Sequence, residues 1–163
     1  MLTDWILFNF LIPLPLPFPL VVDRLYNTLK AEKSEKILPL YVDMSDSGGG
    51  IGWRGQERPG IFDRGNPDMV LVLAVIHHLA ITFNIPLAAQ LDMFRDLTPE
   101  MVIEMPHADD PMVQKLLVNK RAGIHDDFNL GEFERLLTER FDIKSKMLLS
   151  SGTRTIFHVT RKG

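Results

Sequence analysis

The chain contains no cysteine, which excludes disulfides, thiolate zinc sites and cysteine nucleophiles and fits a cytoplasmic protein. Lysine and arginine never cluster beyond a dipeptide, and the net charge is -3. That balance lacks the basic footprint of a nucleic-acid binder, so no nucleic acid is expected as a partner. Residues 1–20 contain no glycine, and Asp4 is the only charge among them. The uncharged run over residues 5–22 has the length of a membrane segment, but Pro13, Pro15, Pro17 and Pro19 interrupt any helix through its second half. No membrane insertion is expected. A secretory signal is not expected either, because no basic residue precedes the run and no small-residue cleavage site follows it. Residues 1–20 therefore read as an apolar, proline-rich arm or a non-native start, and residues 21–163 as one domain. Self-association, if any, is expected through the arm.

What is present is an ordinary globular composition. The chain has 163 residues, 45% hydrophobic and 24% charged, enough for one core that buries roughly two-thirds of the unfolded surface. The most informative stretch is 68–79. Asp68 opens an unbroken apolar run, Met69-Val-Leu-Val-Leu-Ala-Val-Ile76, and His77 and His78 close it. Introduced by Gly65-Asn-Pro67, this run predicts a strand over 69–75 buried on both faces, as in a parallel sheet covered by helices. Ligands in such sheets sit at the carboxyl ends of strands. The two histidines fall at that end.

Helices and strands alternate around this run. Val22, Leu25, Tyr26 and Leu29 at helical spacing predict a short amphipathic helix. Residues 37–42 predict a strand that Pro39 confines to an edge or near it. Further on, a helix is expected over 87–94, a strand over 101–105, and a helix over 112–119 with Asp110 as N-cap and Pro111 at the first helical position. Asn129 and Glu132 read as a capping box for a helix whose inward residues are Leu130, Phe133, Leu136, Leu137 and Phe141. Two strands around Ser150-Ser-Gly152 predict a closing antiparallel hairpin. The fold class is α/β: a mostly parallel, Rossmann-like sheet with a carboxyl-terminal hairpin.

Few residues bear chemistry. Neighbouring histidines on a strand or helix point apart and make poor joint metal ligands, so no metal is expected at His77 and His78. His107 with Asp109 and Asp110 reads as a strand-end loop and helix cap, and His125 with Asp126 and Asp127 as a solvated loop. Gly48-Gly-Gly-Ile-Gly52 is not followed by the Lys-Ser or Lys-Thr of a phosphate loop. It lies in a long loop over 44–67, where Trp53, Arg54, Glu57 and Arg58 are expected to cover the substrate side of a cleft. Loops of that length are usually functional.

The ordered set Ile37-Leu-Pro-Leu with Asp43, Ile51-Gly-Trp53, Glu57-Arg58, Asp68 through His77-His78-Leu79, Val102-Ile-Glu104, Asp110-Pro-Met-Val-Gln114 and Gly152-Thr-Arg-Thr155 resembles the carboxyl-terminal part of the class I S-adenosylmethionine-dependent methyltransferase family. The resemblance covers about residues 21–162. It implies S-adenosylmethionine as cofactor, with Asp43 and Met44 at the adenine contact after the third strand of the family. It places His77 and His78 beside the methyl-donor site as the candidate catalytic residues. The methyl acceptor, a small molecule or a protein, is unspecified. The family's glycine-rich turn has no counterpart in residues 1–20, and its first two strands are expected to be lacking, with the 5–12 segment as the one replacement strand. A truncated methyltransferase domain and a non-catalytic interaction module derived from one are the two expectations.

Overall fold

The protein is described by a computed structural model over residues 8–10, 18–34, 37, 39–46 and 48–163. It divides into two units, Met1–Pro67 and Asp68–Gly163. In the first, strand β1 (Phe8–Phe10) runs parallel to β2 (Leu40–Val42), with Phe8 opposite Leu40 and Phe10 opposite Val42. β1 lies within the segment expected to supply a replacement strand; residues 1–7 and 11–17 of the arm lie outside the described residues. Helix α1 (Phe18–Ala31) begins before the expected arm boundary at residue 20. Pro19 does not prevent this, because it occupies the first turn, where a backbone N–H has no helical partner to lose. On this helix Leu29 is buried whereas Tyr26 is about half exposed. β2 is shorter than the predicted strand, and Pro39 stays out of the ladder.

The second unit is built on a four-stranded sheet with the order β3 (Met69–Val72), β4 (Glu100–Pro106), β6 (Arg154–Arg161) and β5 (Phe141–Leu148). β3 and β4 are parallel; β6 is antiparallel to both of its neighbours, β4 and β5. One antiparallel strand thus sits inside an otherwise parallel set, the Rossmann-like mixed sheet implied by the alternation and the closing hairpin. The register places Val70, Met101 and Val159 in one row and Val72, Ile103 and Phe157 in the next, so the alternation of each strand sends these residues to a single face. They are buried there. Against them lies α4 (Leu130–Arg140), with α2 (Leu87–Leu97) packed on α4; α2, α3 (Pro111–Leu117) and α4 contribute Leu91, Phe94, Val113, Phe133 and Leu137 to the core. The Phe133 and Phe157 rings meet at 5.5 Å.

The expectation of a strand buried on both faces is corrected. β3 ends at Val72, and Leu71 and Leu73 are 48% and 47% exposed. Among the described residues β3 is also the edge of its sheet, and Leu71, Leu73 and Ala74 of the apolar run are exposed. Two local readings are corrected as well. Asn129 caps α4 by accepting the Glu132 N–H at 2.9 Å, but the reciprocal half of the box is absent: the Asn129 N–H goes to the Asp127 carbonyl, and the Glu132 carboxylate takes Arg135. Phe141 is buried as the first residue of β5, not as the last inward position of the helix. Among the described residues no helix is long and apolar enough to cross a membrane.

Candidate functional site

The carboxyl ends of β3 and β4 carry the polar groups of the second unit. After β3 the chain leaves the sheet through Ala74, whose φ is +56, a left-handed conformation uncommon for a residue with a side chain. What holds it is Glu104. Strand alternation turns this residue away from the core face, and its Oε2 accepts the Ala74 N–H at 2.9 Å. Its Oε1 accepts from Arg154 Nη1 at 2.8 Å. The same guanidinium grips Asp110 through Nε to Oδ2 at 2.7 Å and Nη2 to Oδ1 at 3.1 Å, a two-pronged geometry that only arginine offers.

Asp110 is shared four ways. Besides Arg154 it accepts the Met112 N–H at 2.9 Å, capping α3 as expected, and the Thr153 hydroxyl at 3.0 Å. Burial alone would raise its carboxyl; the hydrogen bonds from Arg154, Met112 and Thr153 outweigh that and hold it at about 2. The partnership raises Arg154 above its ordinary value, the Asp110 hydrogen bond first and Glu104 second against the opposing effect of burial. Next to this clasp, His107 Nε2 and Thr155 Oγ1 share a hydrogen bond of 2.8 Å. A single arginine at the start of β6 therefore ties together the exit of β3, the end of β4 and the start of α3.

His77 and His78 follow Ala74 closely. They open a short helical segment that continues as a π-turn over His78–Thr82, a form frequent at functional sites. Their rings lie 4.0 Å apart at 41°. Both are buried, His77 almost completely, and the Nδ1 atoms of both are buried without a hydrogen-bond partner among the described residues. Burial drives the His77 pKa down to about 3, helped by His78 and Arg154 and opposed by Asp110. Burial and Arg154 lower His78 as well. The pair is therefore uncharged at neutral pH. Glu104, Asp110 and Arg154 satisfy one another, whereas the two neutral histidine rings each keep a buried nitrogen unpaired among the described residues.

The other candidates belong to the first unit. Asp43 is exposed, and its Oδ1 accepts both the backbone N–H and the hydroxyl of Ser45, at 2.9 and 2.6 Å. It thereby shapes the single turn Met44–Asp46, which the buried Met44 side chain anchors. Oδ2 has no hydrogen bond among the described residues. The loop is more ordered than its composition implied. Ile51 and Arg58 pair as an isolated antiparallel bridge, with N–H to carbonyl distances of 2.8 and 3.0 Å. Between them Trp53, 78% exposed, and Arg54 form the tip. Gly52 has φ +92, and a Cβ there would run into the Glu57 side chain; glycine is needed for the turn. Among the described residues no cluster of three metal-ligating side chains exists.

Glu104 and Arg154 entered the sequence reading as marks of a resemblance and received no role. A signal was present: Glu104 is the one charge inside the apolar stretch Met101-Val-Ile-Glu-Met105, and a charge on a half-buried strand calls for a partner. Which arginine answers it depends on the hairpin register, which no local pattern encodes.

No protein-family model matches the chain. Among curated proteins it is similar to the nodulation protein NoeA of Rhizobium meliloti (strain 1021), 33% identical over 130 residues, which are 80% of this chain and 27% of that protein. The chain thus spans about a quarter of the length of this relative. Among solved structures it is similar to the pyocyanin biosynthetic protein PhzM, with a TM-score of 0.47 and 17% identity over 86% of this chain and 38% of the other.

Proposed function

We propose that this chain is a methyltransferase-type domain that takes S-adenosylmethionine and presents His77 and His78 to the methyl acceptor. The observation that carries this reading is the buried, uncharged histidine pair beyond the carboxyl end of β3, in a mixed sheet of the kind the family resemblance implies. The residues assigned to the cofactor fit it on the adenine side. Asp43 keeps one carboxylate oxygen free to accept from an exocyclic amine, and the buried Met44 fixes the turn that holds it. S-adenosylmethionine, when bound, supplies an electrophilic methyl group. The chain supplies placement: with a conjugate acid at about 3, His77 is a weak base and serves as a hydrogen-bonding group that orients the acceptor's hydroxyl or N–H. Trp53, Arg54, Glu57 and Arg58 are assigned to the substrate side.

Calorimetric titration with S-adenosylhomocysteine tests the reading. Saturable binding is expected, and Asp43→Ala should weaken it by about tenfold, the worth of one good hydrogen bond. No heat at millimolar ligand, with the fold intact by circular dichroism, would remove cofactor binding from this chain.

A second reading, a non-catalytic interaction module, is favoured by one observation. The β3 edge is unprotected: residues 69–73 carry no charge or proline, whereas the opposite edge, β5, carries Asp142, Lys144 and Lys146 and a bulge between Ile143 and Ser145. Charges and bulges are the usual guards against edge pairing. Sedimentation should then show concentration-dependent self-association that Leu71→Lys abolishes. A monomer at all concentrations would dismiss self-association through this edge.

A further inference from the structure

We infer that the second unit carries a site for a small organic cation, an ammonium group on a single apolar ring, where the π-turn leads into α2 and the 121–128 segment folds over it. The site is a pocket of about 250 Å³ that neither His77 nor His78 lines. Its floor is apolar: Ala80, Leu87 and Phe128 line it and are buried. Ile124 lines it too and remains 58% exposed, an apolar surface that a bound ring would take out of water. A cavity of about 150 Å³ already holds benzene, so one ring with a short alkyl arm fits.

The charge of the ligand is set at the mouth. Asp127 and Asn84 line the pocket and are exposed. The Asp127 carboxylate has no hydrogen bond and no ion pair among the described residues. Nothing on the two segments opposes its charge: residues 78–91 contain no Asp, Glu, Lys or Arg, and residues 122–129 contain Asp126 and Asp127 but no Lys or Arg. The pocket therefore attracts a cation and repels an anion. An ammonium has three donors, enough for the carboxylate and for the amide oxygen of Asn84. At an exposed mouth it keeps part of its hydration, so the large cost of burying a charge does not arise. Of the loop that the sequence presents as solvated, Asp126 and Asp127 are exposed, whereas His125 is half-buried in the wall. Its Nε2 is enclosed, out of a ligand's reach.

Floor and mouth are held before any ligand arrives. The Ile85 N–H reaches the Leu79 carbonyl at 2.9 Å, and the Gln90 side chain holds the Ile85 carbonyl at 2.8 Å. Asn84 takes the left-handed turn between the two helical segments, at φ +56. On the other side, Asn129 fixes the turn that carries Asp127: its N–H meets the Asp127 carbonyl at 2.9 Å and its Nδ2 the Asp126 carbonyl at 3.0 Å. A preformed pocket binds without the cost of ordering its own loops. This inference does not depend on the methyltransferase reading.

The test is a methyl NMR titration of the full chain with three probes of one shape and different charge: 2-phenylethylamine, 2-phenylethanol and 3-phenylpropanoate. Saturable shifts are expected at Ala80, Leu87 and Ile124. At low salt the amine should bind about three- to fivefold tighter than the alcohol, the worth of an exposed ion pair, and the carboxylate weakest of the three. Asp127→Asn should erase the amine's advantage and leave binding of the alcohol in place. The inference fails if millimolar amine produces no saturable shifts, if the shifts fall on other methyls, or if the alcohol or the carboxylate binds as tightly as the amine. It also fails if Asp127→Asn keeps the amine's advantage. The comparison of the three probes is made on the unaltered chain, so it stands even where the variant does not fold.

Discussion

Arg154→Met is expected to destabilise the second unit by about 3–5 kcal/mol, the cost of leaving buried carboxylates without their counter-charge. The expectation follows from where the partners lie. Glu104 is 7% and Asp110 2% exposed, so neither can turn to water for compensation, and the arginine that neutralises both is itself only partly exposed. A surface ion pair of the same length would contribute little. For a unit of this size the loss corresponds to a fall in melting temperature of more than about 10 °C, read by circular dichroism. Combining Arg154→Met with Asp110→Asn should recover part of the loss, because one of the two stranded charges is then gone. A single-variant loss below about 1 kcal/mol would show that the clasp contributes little net stability.

The second large effect is with pH. The His77 pKa in the folded protein is about 3, against about 6.5 in an unfolded chain. Above pH 6.5 both states carry a neutral imidazole and the folded protein has its full stability. As pH falls below 6.5 the unfolded chain takes up a proton that the folded chain refuses, and stability declines until pH 3. At pH 4.5 the loss from this residue is about 2–3 kcal/mol. His78, lowered in the same direction, adds to it. Asp110, held at about 2, begins to lose its contribution only below its ordinary range. Urea unfolding at pH 7 and 4.5 should therefore show a steep acid loss that is smaller by about 2–3 kcal/mol in His77→Phe. Parallel losses in the two proteins would mean that His77 is protonated readily in the fold, and that its burial is not what the geometry implies.

The histidine pair stood out in the sequence because an unbroken apolar run closes on two titratable side chains. Its chemistry was not legible. Sequence spacing predicted divergent rings, yet the helical opening after Ala74 brings them to 4.0 Å, tilted by 41°, and both Nδ1 atoms are buried. That outcome depends on Ala74 turning left-handed, and the group that holds it there, Glu104, is 30 residues away. Asp110 was readable as a cap because capping is a contact between near neighbours in the chain. Its role as the anchor of Arg154, 44 residues on, was not.

The amino-acid sequence by itself determined the α/β class, the capped starts of α3 and α4 and the hairpin at the end. These follow from periodicity, capping and turn chemistry, all of which act over a few residues. Tertiary structure alone decided three things: that β6 lies between β4 and β5, that among the described residues β3 is an edge with Leu71 and Leu73 exposed, and that Arg154 closes on Glu104 and Asp110. Each depends on which strand pairs with which, and pairing is set by the packing of the whole sheet, not by any segment's own propensity.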